Sequence, residues 1–283
     1  MSEQEKGNPD GVTAGGDRFH ARPDISYGQY LGLDRLLSAQ HPLSPEHDEL
    51  LFIIIHQASE LWMMLCVHEL KAAREQIRKD ELGPAFKMIS RVAQVQRQMI
   101  QSWDVLTTMT PADYARIRPH LGQSSGFQSW QYRLLEFMLG NKNASMIEVH
   151  RADPPAYAAL AAALAEPSLY DESLRLLARR GFSLPDECLE RDFSRPYQPH
   201  PEVEAAWRAV YRDTGRHWDL YELAEKLVDL ETRFQQWRFS HMKTVERIIG
   251  YRSGTGGTSG VKYLVKALDI GFFPELLSLR TSL

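Results

Sequence analysis

The chain has 283 residues, 43% hydrophobic and 25% charged, the proportions of an ordinary globular protein, which excludes wholesale disorder. Its 33 basic and 37 acidic side chains leave a formal charge of −4, so no broad basic field advertises nucleic acid or an anionic membrane as a partner. Two cysteines, Cys66 and Cys188, cannot build a disulfide framework, no uninterrupted apolar run approaches the roughly 18 residues that span a bilayer, and the N-terminus has no apolar leader, so a cytoplasmic protein is expected.

In chain order, residues 1–20 are rich in Gly, Asp, Glu and Lys and predict a disordered tail ahead of a single domain over 21–283. Tyr30, Leu31, Leu33, Leu36 and Leu37 predict a short helix. Ser44-Pro45-Glu46-His47 combines an N-cap, a proline and an acid, and predicts the start of a long helix reaching about Lys79. Gly83-Pro84 predicts a break, with a second long helix over about 85–107. Thr110-Pro111-Ala112-Asp113 repeats the N-cap and proline logic, and Pro119 should end or bend that helix. Residues 122–126 read as a loop and 127–139 as a helix. The prolines and the Ala-rich run 156–165 make about 154–201 a small helical insertion. A long helix over about 201–249, with a break near Gly215, leads into a Gly/Ser/Thr-rich loop over 250–260 and a terminal helix from Val261. No alternating strand pattern and no repeat appears, so the fold class is all-α, a bundle-like domain.

The ten histidines are the natural metal-ligand candidates. His68-Glu69 lacks a second histidine four residues on, which removes the zinc-protease motif, and no histidine has Glu three residues before it, which removes the di-iron bundle motif. His217-Trp218-Asp219 matches part of a non-heme iron triad, but such a short match arises easily by chance. His241 stands in a stripe, Leu220, Leu223, Leu227, Leu230, Phe234, Trp237, His241, Val245, Ile248, with steps of three or four throughout. It therefore points into the core, either as a hydrogen-bonded core histidine or as an axial ligand to a heme. His56 shares a helix face with Phe52 and poses a similar question, with a core histidine as its plain reading. Tyr114 and Arg118 stand at i and i+4, where phenol and guanidinium project together; they suit a carboxylate clamp, or a surface tyrosine stacked on an arginine. The loop Gly254-Thr255-Gly256-Gly257-Thr258-Ser259-Gly260 lacks the lysine of a Walker loop and the glycine spacing of a Rossmann fingerprint. It fits a mobile flap or a plain linker.

Taken together, these segments resemble the tryptophan 2,3-dioxygenase family from Tyr27 to about Phe273. The resemblance rests on Tyr27-Gly28-Gln29-Tyr30-Leu31, Phe52-Ile53-Ile54-Ile55-His56-Gln57 with Glu60-Leu61-Trp62, Trp103, Thr110-Pro111, Tyr114 with Arg118-Pro119, Ser124 to Ser129, Phe239-Ser240-His241 and the 254–260 loop. It implies an all-α homotetramer with one heme b per subunit, active as ferrous iron, that adds O2 across the indole 2,3 bond of L-tryptophan to give N-formyl-L-kynurenine. His241 is similar to the family's proximal iron ligand. Arg118 and Tyr114 resemble its carboxylate clamp, and Thr255 with Gly254 the flap that meets the amino-acid end of the substrate. Phe52, with Ile53, Ile54 and Ile55 on the same motif, resembles the wall against the indole. His56 resembles the distal histidine that accepts the indole N–H. Trp103, Ser125 and Gly126 resemble the heme-pocket wall, and Tyr27, Tyr30 and Leu31 the segment that completes a neighbouring subunit's pocket.

Overall fold

The computed structural model of the chain describes residues 11–14, 17–20 and 25–283. It divides into two compact units, Met1–Pro42 and Leu43–Leu283. In the first, strands β1 (Gly11–Ala14) and β2 (Asp17–His20) pair antiparallel with Val12 opposite Phe19. Two strands therefore pair within the segment expected to be a disordered tail; residues 1–10, 15–16 and 21–24 lie outside the described residues. The short helix expected from Tyr27 is two, α1 (Tyr27–Leu31) and α2 (Leu33–Leu36), because Gly32 takes the left-handed conformation, φ 61°, between them.

The second unit is all helix among the described residues. Three helices carry it: α3 (Glu49–Arg78), α4 (Leu82–Leu106) and α11 (Trp218–Ile248), with α4 packed against both others. Between α4 and α11 lie α5 (Pro111–Ile117), α6 (Trp130–Leu139), α7 (Pro154–Ala165), α8 (Leu169–Arg179), α9 (Asp186–Leu189) and α10 (Pro201–Arg212). After α11 come α12 (Val261–Leu268) and α13 (Pro274–Ser278). The break expected near Gly215 separates α10 from α11.

Two boundaries differ from the sequence reading for identifiable reasons. The long helix starts at Glu49 instead of Pro45, because the buried Glu49 carboxylate reaches back to the Leu43 and Ser44 amides and the Ser44 hydroxyl, holding 43–48 as a turn. Gly83 and Pro84 fall inside α4, in its first turn, where a missing N–H costs nothing.

Burial explains how the three long helices align. Cys66, Leu70, Ala73 and Ile77 of α3, Ala85, Ile89 and Val92 of α4, and Leu220, Leu223, Leu227 and Leu230 of α11 share one large core. Each fully buried leucine there contributes about 1.5–3 kcal/mol. The opposite ends of the same helices meet in a smaller cluster: Ile55 from α3, Trp103 and Leu106 from α4, Ile248 from α11, with Tyr114 and Ile117 from α5. The large core fixes the register, and the small cluster is what that register assembles. The insertion is tied down separately, by Lys142, whose Nζ donates to the Ala163 and Glu166 carbonyls at the end of α7 at 2.6 and 2.7 Å. Helix α3 is also long and apolar enough, by length and composition, to cross a membrane, which the short apolar runs did not suggest. It packs against α4, α6 and α8, and 22% of its most apolar window is buried.

Candidate active site

The small cluster is where the candidate residues meet. On α3, Phe52 and His56 are one turn apart, so their rings approach to 4.3 Å between centroids. The Nδ1 of His56 lies 2.7 Å from the Phe52 carbonyl oxygen. A carbonyl only accepts, so Nδ1 carries the proton and Nε2 keeps a free lone pair. Burial pulls the His56 pKa below its ordinary value, against the opposing Phe52 bond and the Glu60 carboxylate, so the neutral ring persists at neutral pH. Glu60, one turn on, is held through its carboxylate and its carbonyl by the Gln131 amide at 2.8 and 2.9 Å.

Helices α4 and α11 supply the second imidazole. The His241 ring stacks on Trp103 at 4.7 Å and 11°, and Trp237 lies 5.5 Å away on α11. Burial pushes His241 down to about 4, and the proximity of His56 acts in the same direction. Among the described residues its ring makes no hydrogen bond. This half-buried imidazole is a neutral ring with a lone pair in reserve, suited to a metal.

Helix α5 supplies the cationic end. Thr110, the N-cap expected from the sequence, exchanges bonds with Asp113 in a capping box, and Pro111 opens the first turn. Tyr114 follows, 6.1 Å from Phe52. Burial raises the Tyr114 pKa, against the charge of Arg118, so the hydroxyl stays protonated and can donate. The Nη2 of Arg118 donates to the Ser253 carbonyl at 2.7 Å, while its Nη1 is buried without a partner. A buried, unused guanidinium N–H beside a phenol is a carboxylate site by chemistry.

The 254–260 loop lies on this end. The Thr255 hydroxyl donates to the Ser124 carbonyl, and the Gly254 amide to the Thr258 carbonyl at 3.0 Å. A Cβ on Gly256 would stand 2.8 Å from the Ser125 Cβ, and one on Gly260, whose φ is +61°, 2.5 Å from the Arg252 carbonyl oxygen. Glycine is required at both for the loop to seat.

The structure thus brings Phe52, His56, Trp103, Tyr114, Arg118, His241, Gly254 and Thr255 into one connected region, with Ser125 capping the turn Gly126–Gln128 beneath the loop. It treats the isoleucines differently: Ile55 belongs to the cluster, Ile53 is half-buried and Ile54 is exposed. Tyr27, Tyr30 and Leu31 lie in the N-terminal unit, both tyrosines 77% exposed. The alternative at His217 falls away, since among the described residues no three His, Cys, Asp or Glu gather around a point. His217 lies against Phe182, and Asp219 pairs with Arg180. Two participants went unread in the sequence. Trp237 was visible only as a stripe residue one turn before His241, and nothing local marks the Ser253 carbonyl as Arg118's partner.

These residues fit a heme. His241 offers the neutral nitrogen an axial ligand needs, and the buried, unpartnered Nε1 of Trp103 is a donor within the same pocket. A family model described as tryptophan 2,3-dioxygenase matches residues 10–159 and 208–283. The tryptophan 2,3-dioxygenase of Erythrobacter litoralis (strain HTCC2594) is 62% identical over 260 residues, 92% of this chain and 99% of that one. Tryptophan 2,3-dioxygenase 1 of Ralstonia nicotianae is 60% identical over 92% of this chain and 88% of its own. The Cupriavidus necator enzyme of the same name is 56% identical over 96% and 95%. Matches of this identity, running nearly end to end, make the chain a member of the tryptophan 2,3-dioxygenase family.

Proposed function

We infer that the chain is a heme-dependent tryptophan 2,3-dioxygenase, converting L-tryptophan and O2 to N-formyl-L-kynurenine with both oxygen atoms retained in the product. The observation that carries the reading is the pair of unlike imidazoles. His241 is neutral and free of hydrogen bonds beside Trp103, and His56 has Nδ1 tied to its own helix and Nε2 open. In this reading His241 holds the iron. Ferrous heme, when bound, supplies the activation of dioxygen, so the chain needs no strong acid or nucleophile of its own.

The remaining work is binding and orientation. The Arg118 Nη1 and the Tyr114 hydroxyl take the substrate carboxylate, and Thr255 with Gly254 covers the amino-acid end. Phe52 flanks the indole, and His56 Nε2 accepts its N–H. These contacts hold the reacting edge of the ring in one register, which is the main source of rate a protein can add when a cofactor does the chemistry. The apolar lining of Phe52, Ile55 and Trp103 excludes water. An indole without the carboxylate leaves the guanidinium N–H unused, so the arginine favours an α-amino acid substrate over a decarboxylated one.

The reading extends to a cytoplasmic homotetramer. Solvent-facing Leu50, Ile54, Leu61, Trp62 and Met64 on α3, and Tyr27, Tyr30 and Leu31 in the N-terminal unit, are apolar surface of the kind subunit interfaces cover. Two buried free thiols, Cys66 and Cys188, suit a reducing compartment.

The test is to load the purified protein with heme, reduce it anaerobically, add L-tryptophan and then air, and follow the Soret and formylkynurenine absorbance. Product from L-tryptophan alone supports the whole reading; a heme spectrum without product leaves a sensor or another indole; no heme spectrum returns His241 to a core histidine.

A further inference from the structure

Between α6 and α11, beside the pocket, lies a buried ion cluster that the reading above does not use. Arg238 is 3% exposed and each of its three nitrogens has a partner: Nε donates to the Tyr132 hydroxyl at 3.1 Å, Nη1 to the Ile270 carbonyl at 2.7 Å and Nη2 to Glu136 Oε1 at 2.6 Å. The Tyr132 hydroxyl donates onward to the same Glu136 oxygen at 3.1 Å, and Arg133 closes on the other. Buried ion pairs are costly to desolvate, and well-packed apolar replacements are often no less stable, so stability alone is a weak account of the cluster.

Its two branches lead to the site from opposite directions. Along the first, the Tyr132 ring lies 5.3 Å from Trp237, and Trp237 lies 5.5 Å from His241. Along the second, Ile270 follows α12, the helix into which the 254–260 loop runs, and its carbonyl also accepts from the Gln235 side chain at 2.7 Å. Arg238 itself stands three residues before His241 on α11, so the two share a side of the helix.

We infer that Arg238 is a positioning residue, fixing the roll of α11 that presents the His241 ring beside Trp103 and Trp237 and anchoring to the same point the far end of the loop-bearing segment. The inference rests on the assignment of His241 as the iron ligand.

Three variants separate the branches: Tyr132→Phe, Gln235→Leu and Arg238→Lys, each with the parent as control. The readouts are hemin affinity of the apoprotein, the iron–imidazole stretching frequency of the ferrous holoenzyme, and kcat and KM resolved separately. Tyr132→Phe cuts only the first branch, so hemin affinity falls about tenfold and the stretching line shifts, with tryptophan KM unchanged. Gln235→Leu weakens only the second, so KM rises about fivefold and the line stays put. Arg238→Lys shows both effects; should it fail to fold, the other two decide. A parental line and hemin affinity in Tyr132→Phe, together with a parental KM in Gln235→Leu, overturn the inference even if melting temperatures drop. A parent that binds no hemin overturns the His241 assignment and this inference with it, whereas a normal parent with unmoved variants overturns this inference alone.

Discussion

Single atoms decide what the pocket can recognise. Arg118 presents a buried nitrogen, Nη1, without a partner, and a charged donor is expensive to leave unused. In the proposed pose Arg118→Ala removes the charged donor opposite the substrate carboxylate, and a loss of about 3 kcal/mol is expected to raise tryptophan KM roughly a hundredfold with a smaller change in kcat. Steady-state kinetics check this, and an unchanged KM would remove Arg118 from the carboxylate site. His56 accepts only while Nε2 is unprotonated. Since burial lowers its pKa below the ordinary imidazole value, kcat/KM is expected to be flat at neutral pH and to fall only at pH values more acidic than the ordinary imidazole range. His56→Ala should lose about tenfold in kcat/KM, the worth of one hydrogen bond, and lose that acid limb with it. An identical limb in the variant would assign the titration elsewhere.

Helices and loops set how far such a site can be read from sequence. The Thr110 N-cap and Pro111 mark the start of α5 in the sequence because capping is a local device, complete within one helical turn. The stripe on α11 is legible for the same kind of reason, since helical periodicity depends on nothing outside the helix, although His241 itself is half-buried and stands outside both apolar clusters. What stayed hidden depended on distant groups: the Glu49 carboxylate that delays α3, the Ser253 carbonyl that engages Arg118, and the Trp103 face on which His241 rests. The sequence leaves the role of each histidine open, and the surroundings of each ring depend on neighbours that the local pattern does not show. The 254–260 loop carries its own prediction. At Gly260 a side chain meets the Arg252 carbonyl and an unfavourable backbone region together, a cost of about 1–3 kcal/mol. Gly260→Ala should therefore raise tryptophan KM about tenfold while the melting temperature hardly moves, because the strain is confined to the loop. A calorimetric scan beside the kinetics tests both halves.

Across the whole molecule, the apolar residues left facing solvent on α3 are more than a lone chain needs. A tetramer should sediment at four times the 32.4 kDa chain mass, independently of loading concentration over the micromolar range. Trp62→Glu puts a charge on that surface and should shift the distribution toward smaller species, because an unpaired charge buried at an interface is strongly unfavourable. A Trp62→Glu protein of unchanged mass would show that this part of α3 is not at a subunit boundary.

The divided guanidinium of Arg118 has a thermodynamic corollary. With Nη2 on the Ser253 carbonyl and Nη1 unengaged, the proposed function makes one side chain common to the loop and the ligand site. Two equilibria that share a group are bound by reciprocity: whatever factor loop ordering adds to tryptophan affinity, tryptophan must add to loop ordering. The exposed Arg252 offers a way to observe it, as a tryptic cleavage point at the loop's edge. Protection of that bond should titrate with the same midpoint as tryptophan binding, so a protease can report the occupancy of a site it never enters.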